Sequence, residues 1–289
     1  ASFTVATCSS KIGKSEEGNV FLWEIESPSN TVYLLGSIHM LRETDYPLSR
    51  PIQAAFEEAE NVVFEIDLGA AQGTNMLAVL EAANPDIPGE SLADALSPET
   101  YELAAEAAAS VGLPIAGFNR FEPWFFFISL QGLKLAELGF EPDYGVDFHF
   151  YNEAQVSERE ILALETLEEQ LGFFDDLSPQ IQADMLEQTI LELDLLESSL
   201  DAMVAAWKSG DVNSFESLIF EGFADYPEVY EVLLTRRNQN WLEDIESFIN
   251  QSEDYLVIVG AAHLVGNDSL VNLLQERGYE VEQLNSRTR

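Results

Sequence analysis

The chain has 289 residues and 46% of them are hydrophobic, so it is long enough and apolar enough to bury a folded core. It carries 52 Asp and Glu against 13 Lys and Arg, a formal net charge of -39 at pH 7. Because phosphate groups are bound mainly by Lys and Arg, this balance argues against nucleic acids and anionic membrane surfaces and favours neutral, cationic or metallic ligands.

The amino-terminal residues carry the clues to cellular location. Residues 1–17 are small and polar without hydrophobic periodicity, and we interpret them as a flexible tail ahead of a single domain at 18–289. Residues 4–10 are typical of a polar leader after a removed signal peptide, or of a poor lipoprotein acceptor at Cys8. We therefore expect an exported protein, periplasmic or extracellular, with lipid anchoring through Cys8 as an option. Cys8 is the one cysteine, which excludes an intrachain disulfide.

Strand patterns lie mostly towards the two ends of the chain, and no stretch reaches the roughly 18 apolar residues of a transmembrane segment. Apolar, β-branched or aromatic runs bounded by turn residues mark the candidate strands. They predict strands at 19–25, 31–36, 61–67, 113–118, 160–164, 254–260 and 279–284. All of them fit most simply into one central sheet covered by helices, which is an α/β fold.

The middle of the chain is predicted to be a largely helical insertion. Ser97-Pro98 and Ser178-Pro179 each place an N-cap residue before a proline at the first helical position. The longest predicted helix covers 179–208 and ends at Ser209-Gly210, with one apolar stripe. We interpret that stripe, and the aromatic residues at 124–127 and 173–174, as core packing, with a cleft lining as the alternative for the aromatic residues.

Two of the three histidines occur in the same local setting. Gly36-Ser-Ile-His39 and Gly260-Ala-Ala-His263 each follow a run that looks like a buried strand. Ligands of open α/β sheets bind at the carboxyl ends of strands, and glycine there lets the backbone turn closely. The pair therefore predicts one site that contains both imidazoles. The alternative is that each histidine caps or packs at its strand end.

A third predicted strand, 61–67, supplies carboxylates. Glu65 and Asp67 alternate along it and are expected on the same face of the sheet. One carboxylate with two imidazoles gives a metal site with open positions for water. A metal in such a site lowers the pKa of bound water and polarises the carbonyl under attack, which is typical of hydrolysis without a covalent enzyme intermediate. The sequence contains no motif of the common rival mechanisms, such as G-x-S-x-G or H-E-x-x-H.

These motifs, taken together in order, resemble the TraB/GumN family over nearly the whole predicted domain. The remaining matches are Phe64-Glu65, Gly145-Val-Asp147, Leu164-Glu-Thr166 with Gln170, Arg237-Asn238, and a closing Gly266-x-x-Ser-Leu-x-x-x-Leu-x-x-x-Gly-Tyr-x-Val281. The family includes the TIKI metal-dependent proteases and is distantly similar to erythromycin esterase and to the haem-binding ChaN proteins. The resemblance implies a mixed sheet with both histidine motifs at one pocket.

The resemblance also implies residue roles. His39 and His263 would be metal ligands, and Glu65 would be a ligand or the general base. Arg237 and Asn238 would complete the pocket as catalytic polar groups, and Asp147 is a further candidate ligand. The metal is expected to be a divalent ion such as Mn, Co or Zn.

Five polar residues are open to a structural as well as a functional interpretation. Arg237 is either a clamp for an oxyanion or carboxylate, or a salt bridge in an acidic protein. Arg237 and Asn238 are adjacent on a predicted helix, so their side chains diverge by about 100 degrees and one of them is expected to be structural. Glu165 and Gln170 are expected to stabilise a sheet edge or loop, and His149, among aromatic residues, is expected to be structural.

The sequence thus favours a metal-dependent hydrolase of the peptidase or amidase type, acting on a peptide or small-molecule substrate. The alternative is a protein that binds a metal or haem in the same pocket without turnover. An interaction module with a vestigial pocket is a third possibility, and the intact histidine pair argues against it. The sequence carries no signal for an oligomeric state.

Overall fold

The structure is a computed structural model that describes residues 18–85 and 87–286. In this part of the chain six strands form one mixed sheet. They are β1 (Asn19–Glu26), β2 (Thr31–Ser37), β3 (Asn61–Phe64), β4 (Glu160–Ala163), β5 (Tyr255–Gly260) and β6 (Glu282–Asn285). Their order across the sheet is β4-β3-β5-β2-β1-β6, in which β1 is antiparallel to both of its neighbours and the other pairs are parallel. The predicted α/β fold with a mixed sheet is confirmed.

The parallel centre of the sheet fixes where a site can form. β3 and β5 are buried along their whole length, because helices cover both faces of the sheet, and their sequences are correspondingly apolar. Gly36 of β2 pairs with Val259 of β5, and Phe64 of β3 pairs with Ile258. The carboxyl ends of these three strands therefore lie side by side at one edge of the sheet.

Helices make up most of the remaining described chain, and the helical middle is confirmed. They are α1 (Arg50–Glu58), α2 (Leu68–Ala82), α3 (Leu92–Ala95), α4 (Pro98–Ser110), α5 (Pro123–Glu137), α6 (Val146–Val156), α7 (Leu167–Asp175), α8 (Pro179–Glu192), α9 (Leu196–Ser209), α10 (Val212–Phe223), α11 (Pro227–Tyr230), α12 (Arg236–Ile249) and α13 (Leu270–Glu276). A π-helical turn, Glu231–Thr235, joins α11 to α12. The predicted N-caps are confirmed: Ser97 accepts from the backbone N–H of Thr100 and Ser178 from that of Ile181.

The buried side chains form a main core around the sheet and a separate cluster in the insertion. The insertion cluster is built by α4, α5 and α8, with Trp124, Phe126 and Leu186 at its centre. α9 and α12 instead pack on the main core, through side chains such as Trp207 and Trp241. The candidate site lies where the insertion helices approach the sheet.

Three predictions of secondary structure are wrong in part and one is wrong outright. The strand predicted at 279–284 begins only at Glu282. Residues 113–118 form no strand: Pro114 lacks a backbone N–H, and Ile115–Gly117 make a 3₁₀ turn whose apolar side chains pack on the insertion cluster. The strand predicted at 61–67 ends at Phe64. The helix predicted at 179–208 is interrupted by a 3₁₀ turn at Leu193–Leu195, which lets α8 pack on the insertion and α9 on the main core.

The predictions of domain organisation and cellular location depend partly on residues that the structure does not describe. The predicted tail at 1–17, with Cys8, lies outside the described residues, and the single domain at 18–289 stays a prediction. None of the helices at 18–85 or 87–286 is long and apolar enough to cross a membrane.

Candidate metal and catalytic site

Four neighbouring strands each end next to one polar side chain of a shared cluster. β2 is followed by His39 and β5 by His263. β3 is followed by Glu65 and β4 by Glu165. The two segments stay paired beyond the strand ends, because the Glu165 N–H donates to the Glu65 carbonyl over 2.9 Å. The cluster thus occupies the carboxyl edge of the parallel strands, where ligands bind in open α/β sheets.

His39 is the exposed member of the cluster. Its Nδ1 lies 2.9 Å from Asp147 Oδ2, and because a carboxylate can only accept, Nδ1 carries the proton. The other oxygen of Asp147 accepts from Ser37 Oγ over 2.8 Å. The Asp147 charge raises the pKa of His39 to about 9, against the cost of desolvation. With 63% of its side chain accessible, His39 lies at the mouth of the pocket, and its Nε2 is 3.2 Å from the place that a Cβ on Gly260 would take.

His263 is the buried counterpart of His39. Its Nδ1 lies 2.6 Å from Asn238 Oδ1, while Asn238 Nδ2 donates to the Asp268 carbonyl over 2.8 Å, so the amide oxygen faces the ring and Nδ1 donates. Burial, with the Arg237 charge acting in the same direction, lowers the pKa of His263 to about 3. The ring is therefore neutral, and its unprotonated Nε2 accepts a hydrogen bond from Arg237 Nη1 over 3.2 Å.

Glu65 is buried and ionised. The Gly260 N–H donates to Oε1 over 2.6 Å, and Arg237 Nη2 donates to Oε2 over 2.5 Å. Burial alone would raise its pKa, but Arg237 and the two histidines outweigh this effect and lower the pKa to about 2. Glu65 is thus a carboxylate over the whole pH range in which the protein would work.

Arg237 connects the members of the cluster. Its Nε and Nη2 donate to the two oxygens of Glu165 over 3.2 and 2.6 Å, a bidentate pair. Its Nη1 also donates to the Leu233 carbonyl over 3.1 Å, inside the π-helical turn that precedes α12. π-turns occur frequently at functional sites. Arg237 and Asn238 divide their roles as the helical geometry requires: one faces the cluster and the other holds His263 from behind.

Gly260 leaves space where the side chains meet. A Cβ at this position would lie 3.2 Å from His39 Nε2, 3.3 Å from Glu65 Oε1 and 3.5 Å from His263 Cδ2. Two imidazoles oriented by oxygen acceptors at Nδ1, together with a carboxylate, are donors that suit a divalent ion. By residue type the cluster fits such an ion. In the placement described for residues 18–85 and 87–286, however, no three His, Cys, Asp or Glu side chains form a metal-binding group.

The other predicted residues fall into two groups. Glu165 and Gln170 belong to the cluster: Gln170 Nε2 donates to both Glu65 and Glu165, and Trp241 Nε1 donates to Glu165 over 3.1 Å. Asp67 does not, because the strand ends before it, and its Oδ1 accepts from the Gly69 N–H at the surface. The predicted shared face for Glu65 and Asp67 is wrong.

His149 and Asp147 lie two residues apart in the sequence but in different surroundings. The His149 ring packs 5.0 Å from the Tyr46 ring and 4.9 Å from the Phe150 ring, as a structural residue would. Asp147, a predicted metal ligand, already has protein partners on both oxygens, at Ser37 and His39. The metal-binding and catalytic roles of all these residues stay predictions.

The comparisons with known proteins agree with the family resemblance. The TraB/PrgY/gumN family model matches residues 21–283. An uncharacterized protein, YbaP of Escherichia coli (strain K12), is 24% identical over 262 residues, which cover 89% of this chain and 94% of YbaP. Metalloprotease TIKI1 of Danio rerio is 23% identical over 91% of this chain and 63% of its own length. Metalloprotease TIKI2 of Xenopus tropicalis is 24% identical over 93% and 61%. No solved structure matches the chain.

Proposed function

Since the chain belongs to the TraB/PrgY/gumN family, we propose that it is a metal-dependent hydrolase of the peptidase or amidase type. The observation that carries the proposal is the convergence of His39, His263 and Glu65 on the space beside Gly260. The relatives named as metalloproteases support it from sequence similarity. We propose a peptide or small-molecule substrate and an exported, periplasmic or extracellular location.

The residues that would hold the ion are the two imidazoles through Nε2 and the carboxylate of Glu65. Mn, Co and Zn all suit these donors. A divalent ion bound there supplies two effects, a lower pKa for water and a polarised substrate carbonyl. Of the two roles predicted for Glu65, the low pKa favours that of ligand, because an effective general base has a pKa closer to the working pH.

Asp147 and Asn238 orient the two imidazoles in this proposal. Each accepts a hydrogen bond from the Nδ1–H of one ring. This bond fixes the tautomer and directs Nε2 into the pocket. Partners of this kind commonly contribute 10- to 100-fold to metal affinity or activity. Asp147 is therefore better described as an orienting group than as a ligand.

Arg237 holds the anionic and neutral members of the cluster together. In the structure its Nη1 donates to His263 Nε2, the same lone pair that a ligand atom needs. When His263 Nε2 takes another partner, this N–H is released and faces the space beside Glu65. It can then donate to the oxygen of a substrate carbonyl, which is the oxyanion role predicted for Arg237.

The test starts with protein purified without chelator. Bound metal is measured by elemental analysis for the wild type and for His39→Ala, His263→Ala and Asn238→Ala, after loading with Mn, Co or Zn, and cleavage of a mixed peptide library is scored in parallel. We expect either histidine substitution to abolish stoichiometric metal and cleavage, and Asn238→Ala to weaken metal binding by 10- to 100-fold. His149→Ala is the matched control, since this third histidine lies outside the cluster. Absence of metal from the wild type under every loading would refute the proposal.

A protein that binds metal or haem without turnover is the second candidate. The observation in its favour is the exposed imidazole of His39 at the mouth of a cavity of about 560 Å³ with largely apolar walls. Haem titration separates the two: stoichiometric binding with an absorption change that His39→Ala removes, without peptide cleavage, supports this alternative.

A further inference from the structure

Two cavities meet at the candidate site. The larger, of about 560 Å³, extends from His263 and Arg237 towards the insertion helices. The smaller, of about 270 Å³, extends past Phe64 and Asp147 on the other side. Both are lined by His39, Glu65, Met40 and Gln170. The cluster thus stands at the junction of the two cavities, so a chain lying across it has space on both sides.

The larger cavity has a charged floor and apolar walls. The buried side chains of Glu65, Arg237 and His263 lie on its floor, and the exposed ring of His39 lies at its mouth. Among the described residues, its walls are formed by apolar side chains of α7, α9, α10 and the π-helical turn, including Phe173, Leu200, Met203, Ile219, Phe223 and Leu233. These side chains are half-buried, although burying them fully would be favourable. Pockets of roughly 300–1,000 Å³ with apolar walls and few polar groups are typical ligand sites.

We propose that the larger cavity is a specificity pocket that holds a large apolar side chain, such as Leu, Met or Phe, next to the scissile bond of a peptide. This inference rests on the proposed function, because it assigns a substrate class to the same site. An apolar side chain is the expected occupant because the cavity continues from the cluster that would act on the bond, and the wall side chains among the described residues are largely apolar. The smaller cavity receives the chain on the other side of the bond.

The net charge of the protein also disfavours an acidic side chain in the larger cavity. An acidic side chain would have to enter a cavity with apolar walls in a molecule with a formal net charge of -39. The cationic groups of its lining are already paired, Arg237 with Glu65 and Glu165 and His39 with Asp147. Desolvation and like-charge repulsion both oppose this. The selectivity against Asp and Glu should therefore exceed the selectivity against small neutral residues such as Ser.

Met203 on α9 offers a test with a matched control. Met203→Gln keeps the length of the side chain but places an amide in the apolar wall. Ala202→Gln adds the same group at the neighbouring, exposed position of the same helix. If the cavity holds an apolar group, the first substitution weakens binding and the second does not.

The binding measurement is independent of metal and of catalysis. The neutral fluorophore N-phenyl-1-naphthylamine is titrated into wild type, Met203→Gln and Ala202→Gln, and then displaced with blocked peptides that carry Leu or Ser at one position. We expect saturable binding to the wild type, displacement by the Leu peptide, and affinity lowered about tenfold by Met203→Gln but unchanged by Ala202→Gln. Non-saturable binding, or equal binding to all three proteins, would overturn the proposal.

Cleavage of the same peptides separates this inference from the function on which it rests. We expect kcat/KM to be about tenfold or more higher for Leu than for Ser next to the bond, and the ratio to fall in Met203→Gln. Cleavage without any preference overturns the pocket and leaves the hydrolase proposal intact. Binding and displacement as expected, without cleavage under any metal, support the pocket and refute the hydrolase.

Discussion

Arg237 uses all five of its N–H groups within the protein. They are donated to Glu65, Glu165, the Leu233 carbonyl and His263. Two carboxylates can be buried side by side here because one guanidinium lies between them and donates hydrogen bonds to both. Even so, burial raises the pKa of Glu165 despite the Arg237 charge, so this carboxylate depends strongly on its partner.

Replacing Arg237 with methionine should therefore destabilise the protein by about 3–5 kcal/mol, the usual cost of leaving a buried charge without its partner. Arg236→Met is the matched control: Arg236 is the preceding residue, and its pair with Asp176 is exposed on both sides. Exposed pairs contribute about 0–1 kcal/mol. Urea denaturation of both variants measures the difference, and equal midpoints would show that the buried network contributes little.

Much of the cluster could be predicted residue by residue, and the exceptions have a physical reason. Glu65 follows an apolar run directly, and His39 and His263 follow one within a Gly-x-x-His motif, so their place at a strand end is a local property of the sequence. Glu165 follows the short strand β4, which is only partly buried, and its approach to Glu65 depends on β4 lying beside β3. No local pattern encodes that neighbour, so the sequence alone predicts for Glu165 only that it stabilises a sheet edge or a loop.

At the scale of elements, Glu122 marks the contact between α5 and α8. It precedes α5 and is buried, and its Oε2 accepts from Gln182 Nε2 of α8 over 2.8 Å. Burial, helped by the nearby Asp175 carboxylate, raises the pKa of Glu122 to about 7. The folded protein therefore keeps this proton at pH values at which the unfolded chain, with an ordinary pKa of 4.5, has lost it.

This difference predicts a pH dependence for the Glu122→Gln variant. Above pH 4.5 the unfolded state has released the proton that the folded state keeps, so ionisation costs the wild type stability as the pH rises towards 7. The amide stays neutral and keeps an oxygen for Gln182. Its melting temperature should match that of the wild type near pH 4.5, exceed it increasingly up to pH 7, and stay higher above. Glu102→Gln, exposed on α4, is the control and should show no such trend.

Elements determined by neighbouring residues can be predicted from the sequence, and elements determined by packing against distant parts of the chain cannot. Helix ends with a capping residue and strands with a continuous apolar run depend on neighbouring residues, and these were predicted closely. Ile115 and Phe118 lie in an equally apolar run, but they pack on the insertion cluster as a turn. The break at Leu193–Leu195 likewise reflects two packing partners, the insertion for α8 and the main core for α9, which periodicity does not show.

At the scale of the whole molecule, charge is the dominant feature. Acidic residues outnumber basic ones fourfold, 52 to 13, and two of the basic residues, Arg236 and Arg237, are already used in the pairs described above. A charge of this size repels itself in the compact state and favours expansion. The fold is therefore expected to be more stable where the repulsion is screened.

Raising the salt concentration should accordingly raise the melting temperature. The Debye length falls from about 10 Å at 0.1 M to about 3 Å at 1 M salt, so repulsion across the surface is largely removed over this interval. Each kcal/mol of relieved repulsion corresponds to about 2–4 °C for a domain of this size class. Thermal unfolding in NaCl and in tetramethylammonium chloride at equal ionic strength makes the test, because screening depends on ionic strength and not on the cation. A rise with only one of the two salts would indicate specific cation binding, and no rise with either would mean that the acidic surface does not limit the stability of the fold.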